Sequence, residues 1–283
     1  MILVTGATGY TGPFVVEALL QAGERVKTLV RPTSRAEQKA GIGAEVAVGD
    51  LEDEGSLLDA LDGVEAVVGV SHIRHAPALV RACATRGVTR GIFFSSTRRS
   101  SKVPSPTVRE VIEGEAAVVE SGLDFTLFRP TMIYGPGDDR NVSRIRRYVE
   151  THRFMPMFGS GEHPQQPVFV RDVAQAVSST LRRTATIRKT YVLAGPGPVS
   201  YLGIVDAVAA ASGRWVIKVY LPVGLSAWTA GIYERRAKAP RITAEQVRRF
   251  NEDKAFDISE ARQDFGYDPV PFEEGIRLAM TPG

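Results

Sequence analysis

Short apolar runs alternate with longer amphipathic stretches along the first two thirds of the chain. The apolar runs predict buried strands at 2–4, 25–30, 45–51, 66–70, 91–96 and 125–128. Between them, apolar residues recur at helical spacing and predict helices at 14–22, 54–61, 77–86 and 108–121. This alternation predicts an α/β fold: a doubly wound parallel sheet with helices on both faces.

The pattern changes after the sixth strand. Helices are predicted at 142–152 and 173–182, with Asp172 as the cap of the second, an extended piece at 154–158 and a last strand at 190–194. The Gly-Pro-Gly-Pro run at 195–198 is the sharpest break in composition. We therefore predict a sheet domain over 1–194, with 135–168 contributing to a second region, and a smaller, mainly helical region over 195–283.

Three glycines, Gly6, Gly9 and Gly12, stand between the first strand and the first helix. Glycine permits a tight turn, leaves room for a pyrophosphate and lets the helix pack closely on the strand. The helix N-terminus also offers free N–H groups to an anion. The alternative is a merely structural turn. We predict a dinucleotide phosphate site, whose residues are Gly6, Thr8, Gly9, Tyr10, Thr11 and Gly12.

Arg31 ends the second strand, nineteen positions after Gly12. NAD-binding proteins carry an acidic residue near this position, whereas an arginine accommodates the 2′-phosphate of NADP. We expect NADP(H) to be preferred over NAD(H), with Thr33, Ser34 and Arg35 as helpers, unless Arg31 is simply solvated. Asp50 and Leu51 end the third strand and are expected near the adenine, although Asp50 is also suited to starting a turn.

Composition and charge limit the classes of partner that we expect. The chain has 283 residues, is 43% hydrophobic and carries a formal net charge of +3, with its arginines scattered. This gives no support to a nucleic-acid partner. No apolar stretch reaches the ~18 residues needed to span a bilayer, and there is no signal-like basic start. With one cysteine, Cys83, we expect a cytoplasmic protein without a membrane partner.

Several motifs occur in a family-like order. They are the glycine motif, Gly-Asp-Leu at 49–51, Ser-Ser at 95–96, the segment 121–130, Tyr-Gly-Pro-Gly at 134–137 and the segment 169–174. Together they resemble the extended and atypical short-chain dehydrogenase/reductases, including epimerase/dehydratase-like and NmrA-like proteins. The resemblance implies a Rossmann-type fold whose smaller C-terminal region closes over a small-molecule substrate. It also implies cofactor contacts from Ser71, Ser95, Pro130 and Thr131.

The sequence departs from that family at its catalytic pair. The resembled enzymes use a tyrosine followed four residues later by a lysine, but none of the eight tyrosines here has a lysine at that spacing. Thr107 and Val111 stand where the pair is expected. A threonine hydroxyl does not titrate near neutrality, and valine carries no charge, so neither residue replaces it.

The remaining candidates for catalysis are residues that follow strands of the sheet: Ser96, Thr97, Tyr134, Lys102 and His72. Each also suits an ordinary role in a strand-end turn, a packed core or a solvated loop. His72 and His75 lack a third ligand nearby, so no metal is expected. We predict a reductase or epimerase/dehydratase-like enzyme, as monomer or homodimer. A non-catalytic redox sensor or assembly subunit is the alternative.

Overall fold

The computed structural model describes residues 1–32, 43–237, 243–249 and 252–280. Its helices are α1 Gly12–Gln21, α2 Glu54–Ala60, α3 Ala76–Arg86, α4 Pro106–Glu120, α5 Val142–Thr151, α6 Val170–Leu181, α7 Tyr201–Ala211, α8 Val223–Arg236, α9 Ala244–Arg249, α10 Ser259–Phe265 and α11 Phe272–Met280. Its strands are β1 Ile2–Thr5, β2 Val26–Val30, β3 Glu45–Val48, β4 Ala66–Gly69, β5 Arg90–Phe94, β6 Asp124–Pro130, β7 Ile133–Tyr134, β8 Phe154–Phe158, β9 Pro164–Gln165, β10 Val168–Phe169, β11 Lys189–Leu193, β12 Val199–Ser200 and β13 Ile217–Leu221.

The central sheet has seven parallel strands in the order β11-β6-β5-β4-β1-β2-β3. The chain begins in the middle, at β1, which pairs with β2 on one side and β4 on the other. The strand order therefore reverses between β1 and β4, where folds of this type bind ligands beyond the carboxyl ends of their strands. The predicted doubly wound parallel sheet is confirmed.

Helices cover both faces of the sheet. Ile2 and Val4 of β1 pack with α1, α6 and α10, while Leu3 packs with α2, α3 and α4. Successive side chains of a strand point to opposite faces, and both faces are apolar here because both are covered. This packing fixes the carboxyl ends of β1, β4 and β5 along one edge.

A second apolar cluster holds the smaller region together. It joins α5, α7 and α11, with Ile145, Ile204 and Ile276 buried among them. The chain then returns to the sheet: α10 places Phe265 edge-on against Tyr191 of β11, with ring centroids 5.1 Å apart. Residues beyond 194 thus contribute to both parts, and the division at 194 stays a prediction.

Two details correct the sequence expectations. Helix α6 begins at Val170 rather than Val173, so Asp172 lies inside its first turn and is not its cap. The Asp172 carboxylate instead accepts a hydrogen bond from the backbone N–H of Val270, at 3.0 Å. Strand β5 ends at Phe94, which leaves the predicted end of that strand in the following loop. Among the described residues, no helix is long and apolar enough to cross a bilayer.

Candidate cofactor and substrate site

The backbone of the glycine loop packs so tightly that neither Gly6 nor Gly12 could carry a side chain. Gly6 has a φ of 74°, and a Cβ there would lie 2.6 Å from the backbone nitrogen of Ser71, at the end of β4. A Cβ on Gly12 would lie 2.3 Å from the carbonyl oxygen of Gly6. The first glycine therefore lets β1 approach β4, and the third seats α1 on the loop.

The N-terminus of α1 suits an anion. Thr11, at the cap position, makes no side-chain cap bond, and the first turn holds no acidic residue. Thr8 and Gly9 are exposed, and a Cβ on Gly9 would meet only the Gly6 carbonyl oxygen, at 3.2 Å. The helix dipole and its terminal N–H groups thus face an open cradle, into which a pyrophosphate fits.

The adenosine end of the candidate site lies at β2 and β3. Arg31 follows β2 and is exposed. Burial lowers the pKa of His75, and the charges of Arg74 and, more weakly, Arg31 lower it further. Glu52 and Asp50 act on the same histidine in the opposite direction. The helpers Thr33, Ser34 and Arg35 lie outside the described residues.

Asp50 and Ser71 also have structural partners. The Asp50 carboxylate accepts a hydrogen bond from the backbone N–H of Glu52, at 3.1 Å, as a turn-starting residue does. The Ser71 hydroxyl lies 3.1 Å from that of Thr5. A cavity of about 490 Å³ opens beside this end, with Leu51, Arg74, His75 and Arg81 in its lining.

The loop after β5 brings Ser95, Ser96 and Thr97 to the carboxyl edge of the sheet. Each hydroxyl already has a protein partner: Ser95 donates to the Glu115 carboxylate at 2.5 Å, and Thr97 donates to the Pro130 carbonyl at 3.4 Å. The Ser96 hydroxyl accepts from the backbone N–H of Arg98. Ser96 therefore caps the short helical turn that follows it, and Thr97 links the loop after β5 to the end of β6. A substrate oxygen would have to compete with those partners.

Thr131 fixes the end of β6 in the same way. Its hydroxyl donates to the backbone carbonyl of Gln166, at 2.5 Å, directly after Pro130 ends the strand. The side chain of Gln166 is buried and bonds the carbonyl of Gly195. Pro130 and Thr131 thus lie beside the loop after β5, and their cofactor contacts stay a prediction.

A buried carboxylate organises this edge, and the sequence prediction missed it. Glu115 of α4 is only 2% exposed, and its two carboxylate oxygens accept hydrogen bonds from Nε and Nη2 of Arg129, at 2.8 and 2.6 Å. Arg99 reaches the same carboxylate at 3.1 Å. The sequence prediction missed Glu115 because a glutamate on an amphipathic helix usually faces solvent. Its one sequence signal was its position one helical turn after Val111, where the resembled enzymes carry the catalytic lysine.

Tyr134 does not line the crevice, contrary to the sequence prediction. Its ring is fully buried between Phe169 and Phe272, 4.9 Å from the second ring centroid. The hydroxyl points at Gly275, where a Cβ would clash with it, and it makes no hydrogen bond among the described residues. Burial raises the pKa of Tyr134, so this phenol is a poor proton donor.

Lys102 and His72 lie in the loops that follow β5 and β4. The side chain of Lys102 is exposed, and its backbone N–H donates to Glu252 at 2.7 Å. His72 accepts the backbone N–H of Arg74 and lies 4.0 Å from Glu110. Burial lowers the pKa of His72, while the nearby Glu110 charge raises it. The catalytic roles of Lys102 and His72 stay predictions.

Lys254 is a second charged residue that the sequence prediction missed. Its amine donates to the Gln165 side-chain oxygen at 3.1 Å and to the Arg249 carbonyl at 2.9 Å. Burial, with the Arg249 charge, lowers the pKa of Lys254 to about 8. Arg98, from the loop after β5, also acts on this pKa, so the C-terminal segment and the sheet edge meet here. Within the described parts of the chain, no three His, Cys, Asp or Glu residues are placed to hold a metal ion.

Comparison with known proteins assigns the family. Residues 1–264 match the NmrA-like family, and the chain belongs to it. The chain is 28% identical over 224 residues to an NAD(P)H azoreductase of Xenophilus azovorans, covering 76% of this chain and 74% of the azoreductase. It is 27% identical over 224 residues to quinone oxidoreductase 2 of Escherichia coli, covering 76% of each. A crystal structure of UDP-glucose 4-epimerase from Thermotoga maritima superposes with a TM-score of 0.77, at 20% identity, covering 98% of this chain and 96% of the epimerase, and shares the fold. The chain is thus an NmrA-like protein whose relatives include an NAD(P)H azoreductase and a quinone oxidoreductase.

Proposed function

We propose that this protein is an NADP(H)-dependent reductase that passes a hydride to a small organic acceptor. The observation that carries the proposal is the glycine loop, whose open cradle and uncapped α1 N-terminus lie where the strand order reverses. The named relatives that reduce azo and quinone compounds support an acceptor of the same general kind.

The choice of cofactor rests on Arg31. It directly follows β2 and is exposed, at the position where a 2′-phosphate would gain a charge-assisted hydrogen bond. Bound NADPH would supply the hydride, two electrons with one hydrogen. The reduced acceptor also needs one proton. Lys254 is our candidate donor because Glu252, two residues before it, holds its segment against the loop after β5, and because its pKa is about 8.

Replacing Arg31 with alanine tests the cofactor assignment. The change should weaken NADPH binding by roughly 1.5 to 3 kcal/mol, about 10- to 150-fold, and leave NADH binding unchanged. Arg25→Ala, just before the opposite end of β2, is the matched control and should change neither affinity. Titration of the protein with both cofactors measures this. Equal affinity of the unmodified protein for NADPH and NADH would rule out the preference.

Turnover is tested separately with a panel of quinones, azo compounds and enones, followed by NADPH oxidation. The missing tyrosine–lysine pair and the buried Tyr134 favour the second candidate, a non-catalytic NADP(H) sensor or assembly subunit. Tight NADPH binding without turnover of any acceptor, together with a specific co-purifying protein, would establish that candidate instead.

A further inference from the structure

The smaller region exposes an unusual set of large apolar side chains, which we call the aromatic surface. Both tryptophans of the chain belong to it, with Trp215 70% and Trp228 65% exposed. Its members are Phe154, Trp215, Ile217, Val219, Leu225, Trp228 and Tyr233. Clustered exposed apolar side chains on a folded protein usually mark a contact surface.

Two elements contribute adjacent parts of this surface. In the parallel pair of β8 and β13, Phe154 pairs with Ile217 and Phe158 with Leu221. Phe154 and Phe158 point to the same face because they are four residues apart along a strand. Phe158 packs against Ala227 of α8, so the helix lies beside the face that carries Phe154.

Helix α8 has a sharply divided surface. Its buried side consists of small residues, among them Ser226, Ala227 and Ala230. The exposed side follows helical spacing and contains Leu225, Trp228, Tyr233, Arg235 and Arg236. The acidic residue of this helix, Glu234, points elsewhere, since its carboxylate accepts the backbone N–H of Ala244.

In the described part of the chain, the charged residues next to the aromatic surface that have no ion-pair partner are basic. No Asp or Glu occurs between Asp206 and Glu234 in the sequence. Arg153 and Arg214 immediately precede Phe154 and Trp215, and both are exposed. Among described residues, neither these two arginines nor Arg235 and Arg236 form an ion pair. Lys218, by contrast, is bound to Asp206.

We propose that the aromatic surface docks the protein on an anionic lipid surface. Tryptophan and tyrosine favour the membrane–water interface, and unpaired arginines beside them are attracted to anionic headgroups. A second copy is a poorer partner because a symmetric contact would bring the same unpaired arginines together. The expectation of no membrane partner rested on the lack of a spanning segment, and docking on a surface needs none.

Vesicle binding of the full-length protein tests the proposal. Phosphatidylcholine vesicles are compared with vesicles in which about a third of the lipid is phosphatidylglycerol. Both tryptophans lie in the aromatic surface, so docking on the anionic vesicles should shift the intrinsic fluorescence to the blue. Flotation should recover the protein with the anionic vesicles, and added salt should release it.

Variants separate the apolar and charged contributions. Leu225→Ser keeps both tryptophans and should weaken binding about tenfold. Arg214→Gln and Arg235→Gln should each weaken it about fivefold, through lost attraction to the headgroups. Val119→Ser and Arg25→Gln change exposed residues outside the aromatic surface and should have no effect.

The proposal fails if neither vesicle binds, or if neutral vesicles bind as tightly as anionic ones. It also fails if light scattering shows a concentration-dependent dimer that Leu225→Ser dissociates, since the occupant is then a second copy. None of these outcomes depends on whether NADPH is bound or oxidised.

Discussion

At the scale of single residues, Tyr134 shows how burial decides chemistry. Its hydroxyl is enclosed by Phe272 and Gly275 without a hydrogen-bond partner among the described residues. A buried hydroxyl without a partner opposes folding by ~1–3 kcal/mol, so Tyr134→Phe should raise the free energy of unfolding by about 1 kcal/mol. Turnover of any accepted substrate should be unchanged. Urea denaturation and NADPH-dependent assays measure the two effects.

Tyr191→Phe is the matched control. The Tyr191 hydroxyl donates to the Asp264 carboxylate at 2.6 Å, so its removal should lower the free energy of unfolding by about 1 kcal/mol or more. The two substitutions delete the same atom but should act in opposite directions. A tenfold loss of turnover in Tyr134→Phe would show instead that the phenol reaches the substrate in a conformation other than this one.

Charged residues of the site were the hardest to predict from sequence. The glycines, Arg31 and Asp50 carry local signals: a spacing, a strand end and a turn. The roles of Glu115 and Lys254 depend on which residues tertiary packing brings to them, from positions up to about ninety residues away in the chain. A helical glutamate and a loop lysine have the same local pattern whether they are buried or solvated.

At the scale of elements, the contact between α1 and the glycine loop determines whether the cofactor site can form. Gly12→Ala would place a Cβ 2.3 Å from the Gly6 carbonyl oxygen, a backbone atom that cannot move aside cheaply. We expect NADPH affinity to fall at least about tenfold and the free energy of unfolding to fall by about 2 kcal/mol. Calorimetric titration and thermal unfolding measure these changes.

Gly224→Ala, in α8, is the corresponding control. A Cβ there meets nothing within 4 Å, so the change should be neutral or slightly stabilising. If Gly12→Ala bound NADPH as tightly as the unmodified protein, the loop would not be the phosphate site.

The elements themselves were largely predictable because both faces of the sheet are covered. Fully apolar runs such as 2–4 and 66–69 have few alternatives to buried parallel strands. The start of α6 was misplaced because Asp172 is a residue type that favours the N-cap position, whereas the helix begins at Val170, with Phe169 at the cap. The partner of Asp172 in the structure, the backbone N–H of Val270, lies 98 residues away, where no local pattern indicates it.

At the scale of the whole molecule, the C-terminal segment bridges the crevice. Glu252 accepts hydrogen bonds from the Ser101 hydroxyl and the Lys102 backbone, and Lys254 donates to Gln165. The segment thus joins the loop after β5 to the strand that pairs with β12. Burial in the folded protein disfavours the charged form of the Lys254 amine. The contribution of this segment to the free energy of unfolding should therefore depend on pH.

The direction of that dependence follows from the Lys254 pKa, which is about 8 in the folded protein and 10.5 in the ordinary lysine side chain. Between these values the unfolded chain keeps a proton that the folded protein has released, so the free energy of unfolding should rise with pH. Measured by urea denaturation from about pH 7 to about pH 10, the unmodified protein should gain roughly 1 kcal/mol relative to Lys254→Met. Lys189→Met is the control: the ion pair with Asp264 raises the pKa of Lys189, and this variant should keep the rise. Parallel curves for the unmodified protein and Lys254→Met would mean that the amine titrates as in a free lysine, and the proposed proton donor would then lose its support.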